Sequence, residues 1–589
     1  MDLRLFCVLF ICISYVSSSK LHYDARVMVN KEGITRFSFE NNNINLVKLV
    51  RTSGNNIIWV GGPKILYSIS PTQASKPHQV NVPLCQDESK DSDKSQHCSH
   101  RISVLREGVD GNLLFICRSY DGNTVCCNLN SSYSLDNCFT SDNYVLYINE
   151  PSLLVGNMLY FTKPDEGLFR INNNKHDNIW SQPSQAEQTY LKLIAGKGQH
   201  KDKVYSFFAE KHKSKDDESE RWIPRVSQSC TNDRGGSKSL LQSSWTSVIY
   251  TRLFCGRGNE FTQMIDVATL DTDGDTKIYA LFRNYWNMSA VCVYNMTEIS
   301  RIFTSSEFNS DKVPANHRPG TCVEDSTRLS SEVLGFMKER PEMKDWVMPE
   351  NGPLLFRHRH YTHIQVDRVQ DHTVLLLSLE SGGVHKVLEE PVFVIAEYLP
   401  FPRGTHITSM LLDASERRLY VSSSNEVVQI DLQRCHVYGD ECIGCILSRD
   451  PYCGWDRLHC TSRAKNPVQD IRNCEPEAAL SKTGISDKPP VDHISPSSKH
   501  FLLCPVTSRH ATYHWYHGKT REECVHSDQG CLYLIDSMNE THEGEYICVS
   551  SEEGFQRTVT QYKLSMSRSD ALRLTPALLL LLTALLLTF

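Results

Sequence analysis

"NMLYFTKPDEGLFRI", residues 157 to 171, sets two short apolar runs on either side of a Lys-Pro-Asp-Glu-Gly turn. Aromatic and aliphatic residues suit a half-buried pleated surface, and the proline and glycine suit a tight reversal, so the stretch predicts a β-hairpin. The same plan recurs along the chain. It returns as "NNIIWVGGPKILYSI" near Ile57, "NLLFICRSYDGNTVCCNL" from Leu113, and "DKVYSFFAE" near Val204, whose partner strand is less plain. It returns again as "TKIYALFRNYWNMSAVCVYNM" near Ile278, "HTVLLLSLESGGVHKVL" near Val374 and "RRLYVSSSNEVVQIDL" near Leu419. The interval is roughly 45 to 55 residues where no insertion intervenes, the length of one propeller blade. Longer gaps from Val204 to Ile278 and from Ile278 to Val374 predict insertions there. A two-sheet sandwich does not account for a repeat of this length. One hairpin cannot cover its own faces, whereas a closed ring can. The expected fold is mainly β, with a seven-bladed β-propeller over residues 20–433.

Beyond Leu432 the repeat stops. Residues 434–475 gather Cys435, Cys442, Cys445, Cys453, Cys460 and Cys474 around "RDPYCGWD" (449–456). A stretch this short buries too little apolar surface to fold unaided, so three disulfides are expected, with Tyr452 and Trp455 packed as a small core around them. Six cysteines allow fifteen connectivities, and spacing does not choose among them. A polar linker follows at 476–497. Residues 498–565 then bring Cys504, Trp515 and the Tyr546-x-Cys548 pair in the order of an immunoglobulin-like β-sandwich, with Cys524 and Cys531 left for a second bridge.

The ends predict the compartment. "LFCVLFICISYV" (5–16) followed by small residues reads as a signal peptide over residues 1–19. The apolar run "LTPALLLLLTALLLTF" (574–589) follows the small residues of "SMSRSDA" (565–571). It is short for a span and lacks a basic flank, so residues 566–589 are expected to be a glycosylphosphatidylinositol (GPI) signal that is removed, with attachment at Ser565, Ser567 or Ser569. The protein is then expected on the extracellular face of the cell membrane. The 22 cysteines fit an oxidising space, twenty of them remaining once Cys7 and Cys12 leave with the leader. Cys85, Cys98, Cys117, Cys126, Cys127, Cys138, Cys230, Cys255, Cys292 and Cys322 fall in the propeller and avoid its last two hairpins. Asn130, Asn287, Asn295 and Asn539 stand in glycosylation sequons. A net charge of −7 offers no basic field for nucleic acid.

No cofactor, metal or catalytic constellation is expected. The "DTDGDT" stretch (271–276) has its glycine at the fourth position of a would-be calcium loop and Phe282 at the twelfth, so it reads as a hairpin turn. "RHRHYTH" (357–363) brings His358, His360 and His363 close, but on a strand His363 opposes the other two, and an exposed strand edge is the expected setting. Gly-x-Ser-x-Gly, His-Glu-x-x-His and phosphate-loop motifs are missing from the sequence.

The three expected modules, in this order, resemble the semaphorin family over nearly the whole mature chain. "DPYCGW" (450–455) is similar to the hallmark of the plexin–semaphorin–integrin (PSI) module, and "IPRVSQSC", "SSWTSVIYTRLFC", "SAVCVY" and "RPGTC" are similar to motifs of the sema propeller. Several members carry eight PSI cysteines where this chain has six. The resemblance implies pairings of Cys230 with Cys322, Cys255 with Cys292, Cys85 with Cys98, Cys117 with Cys126, and Cys127 with Cys138. The lipid-anchor tail points to the GPI-anchored class 7. That class implies a homodimeric signalling ligand for a class C plexin and for integrins, in axon guidance, cell migration and immune signalling. Arg257, Gly258 and Asn259 stand where an Arg-Gly-Asp would be sought, but Asn259 has no carboxylate to offer an integrin's metal ion, so the loop is discounted. A plexin-like receptor ectodomain and a secreted glycan-acting propeller enzyme are the alternatives. Hydrophobic filling of the propeller axis would remove the second.

Overall fold

The computed structural model describes residues 24–567 apart from 31–32, 40–47, 53–55, 71–75, 81, 83–100, 121–122, 141–147, 173–177, 183–185, 213–220, 357–358, 440, 463–473, 475–490 and 528–529. The described residues fall into two compact units. One comprises Met28–Arg434 together with Arg449–Tyr452; the other comprises Asp24–Val27, Cys435–Ser448 and the chain from Cys453 onward.

Among the described residues the first unit holds seven antiparallel sheets, the blades of a propeller. Blade one is Lys48–Thr52, Ile57–Gly61, Leu66–Ile69 and His78–Val80; blade two is Arg101–Glu107, Leu114–Tyr120, Asn123–Leu129 and Leu135–Thr140. Blade three is Asn149–Val155, Met158–Lys163, Gly167–Ile171 and Ile179–Trp180; blade four is Glu187–Ala195, Lys203–His212, Arg221–Cys230 and Ile249–Arg252. Blade five is Phe261–Thr272, Asp275–Asn284, Ser289–Asn295 and Leu354–Phe356. Blade six is Tyr361–Val369, His372–Leu379, Val384–Leu388 and Phe393–Leu399; blade seven is Ser409–Asp413, Arg418–Ser422 and Glu426–Asp431. The first strand of each blade packs against that of the next, and blade seven returns to blade one, so the ring closes.

Each hairpin read from the sequence is the middle pair of strands in one blade. These strands are covered on both faces by neighbouring blades, which explains runs such as "VLLLSL" in place of clean alternation. Two N-terminal strands complete the last blades. Ile34–Ser38 pairs with Glu426–Asp431 as the fourth strand of blade seven, and Val27–Asn30 adds a fifth strand to blade six. The ring is thereby closed by hydrogen bonds between segments almost 400 residues apart.

In the second unit the cystine-rich segment holds the helix Cys442–Leu447 and the short pair Gly454–Trp455 with Cys460–Thr461. Its bonds are Cys435–Cys453, Cys442–Cys474 and Cys445–Cys460. Three residues apart on one helix, Cys442 and Cys445 share a face and tie it to two separate stretches. Trp455 is buried here. Tyr452 is not part of this small core, contrary to the expectation from sequence. It belongs to the propeller unit, where its hydroxyl donates to Asp367 at 2.6 Å.

The immunoglobulin-like part is a sandwich. One sheet orders Val491–Ile494, Phe555–Met566, Gly544–Glu552, Thr512–His517 and Thr520–Glu523; the other orders His500–Cys504, Gly530–Ile535 and Val525–Ser527. Cys504–Cys548 joins the two sheets beside the fully buried Trp515, and Cys524–Cys531 is the second bond. The Tyr546 hydroxyl donates to the His542 carbonyl at 3.2 Å, the corner tie of such domains.

Candidate binding surface

Blade five carries the largest departure from the repeat. Between its third and fourth strands lie the helices Met296–Ser305 and Ser331–Lys338. Ile299, Ile302, Phe303, Val333, Leu334 and Met337 bury the apolar stripes of these helices in the core shared by blades four and five. The chain then runs beside the outer strand of blade four, with bridges Tyr250–Glu342 and Leu253–Val347. Glu342 accepts from Arg252 at 2.5 Å and lies 3.1 Å from Arg225. The insertion therefore covers a sheet edge that would otherwise be open to another chain. Cys230–Cys322 secures it to blade four, while Cys255–Cys292 ties the link between blades four and five to the third strand of blade five.

The opposite character appears at the turn between the second and third strands of this blade. Tyr285 is 90% exposed and Trp286 73% exposed, their rings edge to face with centroids 6.3 Å apart. The buried Asn284 holds the turn: its side-chain oxygen accepts from Trp286 N–H at 3.0 Å and Met288 N–H at 2.8 Å. Asn287 follows at φ +59°, a conformation asparagine tolerates. Two large aromatics on a turn this well bonded lose little entropy when covered, the property of an interface anchor. In the sequence this turn carries only the adjacent tyrosine and tryptophan and the Asn287 sequon, and neither says that the two rings are uncovered, because exposure is a tertiary property.

The residues singled out from sequence are scattered. Asn287 and Asn539 are exposed, while Asn130 and Asn295 are half-buried. Asn130 accepts from the N–H of Ser132 and Ser134, both at 3.0 Å, and donates to Asp136. Ser565 and Ser567 lie at the end of the last sandwich strand, whereas Ser569, Cys85 and Cys98 fall outside the described residues. Cys117 is bonded to Cys126 and Cys127 to Cys138, both within blade two. Asp273 and Gly274 of "DTDGDT" form the turn joining the first two strands of blade five. In the "CGRGNE" loop (255–260) Arg257 and Gly258 are exposed, but the Asn259 side chain turns back to accept Cys255 N–H at 3.3 Å. The next residue, Glu260, is exposed and accepts Gly258 N–H at 2.8 Å. Slight burial opposes its charge, but backbone N–H groups and Arg257 outweigh this and hold the carboxyl below its ordinary range.

The three histidines separate. His358 falls outside the described residues, and the exposed His360 lies 3.2 Å from the Glu380 carboxylate. His363 is not on an exposed edge. It sits on the first strand of blade six, 3.0 Å from the Ser378 hydroxyl, and burial lowers its pKa against the opposing pull of Asp266. Interior setting follows from the ring, which turns every first strand inward.

His363 joins a set of ionisable groups, one from each of six first strands: Lys48, Arg106, Glu150, Lys192, Asp266 and His363. Glu150 accepts from Lys48 and from Arg106, the latter at 2.5 Å. Burial works against the Glu150 charge, but these two cations outweigh it and hold the carboxyl low. Burial also lowers Lys48 to about 8, with Glu150 opposing. Asp266 is raised by burial, tempered by His363 and by Ile364 N–H, which it accepts at 2.9 Å. The first strands thus carry charge where hydrophobic filling would have removed the enzyme alternative. Both carboxylates are engaged in bonds that tie one blade to another, an arrangement suited to holding the ring.

Comparison with known proteins agrees with this architecture. The Sema domain family matches residues 262–414, the plexin repeat (PSI) family residues 434–480, and the semaphorin-3/4/7A immunoglobulin-like domain residues 491–576. Semaphorin-7A of Mus musculus is 30% identical over 558 residues, covering 88% of this chain and 83% of that protein. Semaphorin-7A of Homo sapiens is 36% identical over 395 residues, covering 62% of this chain and 59% of that protein, less than two thirds of its length. Among solved structures, Drosophila Semaphorin 2a aligns with TM-score 0.68 at 19% identity, over 92% of this chain and 99% of its own. A structure of Drosophila Plexin A in complex with Semaphorin 1b aligns with TM-score 0.59 at 21% identity, over 76% of this chain and 96% of the matched one. At these identities the structures speak to the fold alone.

Proposed function

Since this chain belongs to the semaphorin family, we propose that it is a membrane-attached extracellular ligand whose propeller engages a class C plexin, and that it does so as a homodimer. The observation that carries this reading is the exposed Tyr285–Trp286 pair on a bonded turn of a closed, charge-tied ring. A rigid scaffold presenting an aromatic anchor binds without paying to order itself. Two-fold self-association would let one patch serve both copies and bring two receptors together. Attachment through Ser565, Ser567 or Ser569 would confine the ligand to a surface and raise its effective concentration. Axon guidance, migration and immune signalling follow from the family alone.

Integrin binding enters only through the class 7 resemblance. The loop at Arg257–Asn259 does not support it, because the Asn259 side chain is uncharged and turned toward its own backbone. Surface plasmon resonance of the ectodomain on a class C plexin ectodomain, beside analytical ultracentrifugation of the ligand alone, tests the proposal. Saturable binding and a dimer are expected. A monomer indifferent to the plexin would overturn it.

A further inference from the structure

The outer face of the three-stranded sheet in the sandwich is apolar. Along His500–Cys504, Leu502 and Cys504 face the core, so Phe501 and Leu503 face away; along Gly530–Ile535, Cys531 and Ile535 face the core and Leu532 and Leu534 face away. Register places Phe501 opposite Leu534, and Leu532 opposite both Leu503 and Val525. Two adjacent rows of apolar side chains result, and their outermost members are open: Phe501 is 58% exposed, Leu534 41% and Val525 70%. Contiguous exposed apolar rows of this kind often mark a surface that meets a partner or a membrane.

Its position identifies what covers it. The last strand, Phe555–Met566, pairs in parallel with Val491–Ile494, so Met566 and Ile494 lie at the same end of the sandwich. Ser567 N–H donates to Ile494 O at 2.8 Å, and the turns that follow Ile494 and Ile535 meet there through Ser497 N–H to Met538 O at 2.9 Å. Phe501 and Leu534 are therefore one residue from the end at which the chain leaves the domain. From Ser567 the apolar run at Leu574 begins seven residues on, a reach of at most about 25 Å even fully extended. The bilayer is this near whether the run is exchanged for a lipid anchor or retained.

We propose that this face, with Phe501 and Leu534 leading, rests on the headgroup region of the outer leaflet and orients the ligand on its own membrane. The proposal rests on the membrane-attached reading above. The rim carries Lys499 and Asp536 in one weak pair at 3.6 Å, so the surface expected is electroneutral phosphatidylcholine. Shallow insertion of two large apolar side chains is too weak to recruit a protein from solution, but suffices to orient one already tethered.

The test uses the secreted chain ending at Ser567 with a hexahistidine tail, held on phosphatidylcholine vesicles by a nickel-chelating lipid. Asn539→Gln removes any glycan at that end. A Phe501→Trp variant is compared with Phe555→Trp, whose site is 37% exposed at the opposite end of the last strand. Brominated acyl chains should quench the tryptophan at 501 at least about threefold more than that at 555, over the background of the eight native tryptophans. Adding Leu534→Ser should reduce that difference. Equal quenching at 501 and 555 would overturn the proposal. A concentration-dependent dimer abolished by Phe501→Ser would also overturn it, by giving the face to a second copy. Because the tether is artificial, these results are independent of the anchor, which phospholipase release of the full-length protein from cells examines separately.

Discussion

Blades four and five and blades six and seven occupy the same ring and solve the same closure problem with different chemistry. Within blade five the chain makes a long excursion that Cys230–Cys322, 92 residues apart, holds to blade four, and Cys255–Cys292 ties the link between the two blades to the third strand of blade five. Blades six and seven contain no cysteine. Their fourth and fifth strands come from the N-terminus, and a cluster of buried charge sits among them. Lys386, fully buried, donates to Asp450 at 2.6 Å and to Leu432 O at 2.8 Å. It also lies 4.1 Å from the centre of the Tyr452 ring. Asp367 accepts from the Tyr452 hydroxyl and from Arg417, each at 2.6 Å. Burial lowers the Lys386 pKa with Asp450 opposing, and raises that of Tyr452, where Asp367 adds to the effect. Sulfur limits the disorder of long loops in the unfolded chain, whereas the ionic cluster has to be satisfied within the fold, group by group.

The sharpest way to break this contrast is at its sulfur side. Replacing Cys230 and Cys322 together by serine should cost about 4–5 kcal/mol, read as a fall in melting temperature and in secreted yield. A loss under about 1 kcal/mol would mean that the insertion holds itself. On the ionic side, Lys386→Met leaves Asp450 buried and uncompensated and should cost roughly 3–4 kcal/mol by denaturant melts, whereas Lys386→Met with Asp450→Leu should return to within about 1 kcal/mol of the parent. If the double variant is as poor as the single, the cluster is not acting through charge. Tyr452→Phe removes one bond to a carboxylate and should cost about 2 kcal/mol, against about 1 kcal/mol for Tyr546→Phe in the sandwich, where the acceptor is a neutral carbonyl.

Acid titration sharpens the comparison further. Glu150 has a folded pKa below its ordinary value, so its contribution is present above about pH 4.5 and is lost as pH falls through the folded value. Glu150→Gln should lower stability near neutrality by about 1 kcal/mol and flatten the decline of melting temperature below pH 4.5. The smallest expected effect on stability comes from Tyr285→Ala with Trp286→Ala, under about 0.5 kcal/mol because both rings are in water. The same variant should weaken plexin binding or dimerisation at least about tenfold. Unchanged association would move the anchor to another surface.

Much of the fold is legible in the sequence. The seven hairpins are visible because each is local, two apolar runs joined by a turn within some twenty residues. The sandwich is visible because Trp515 and Tyr546 hold fixed offsets from its cysteines. Ring closure was not legible. Ile34–Ser38 reads as an ordinary short strand, and nothing nearby says that its partner is Glu426–Asp431. Adjacency to Cys453 places Tyr452 in the cystine core, yet Asp367, its partner, is 85 residues earlier. An exposed strand edge is what sequence predicts for His363, and the inward face of a first strand appears only once a ring exists. For the candidate surface, sequence supplied the residue types at Tyr285 and Trp286, and only the fold showed that no described residue covers them.

Sequence by itself determined the unit of construction, its number of repeats and the order of the three modules, because hairpin periodicity, turn chemistry and cysteine spacing act over short separations. Tertiary structure alone decided which strands close the ring, where Asp450 and Tyr452 are buried, and which aromatic and aliphatic side chains are left in water. Those outcomes depend on contacts between segments hundreds of residues apart, and the free energy of burying a group is set by everything around it, not by its neighbours along the chain.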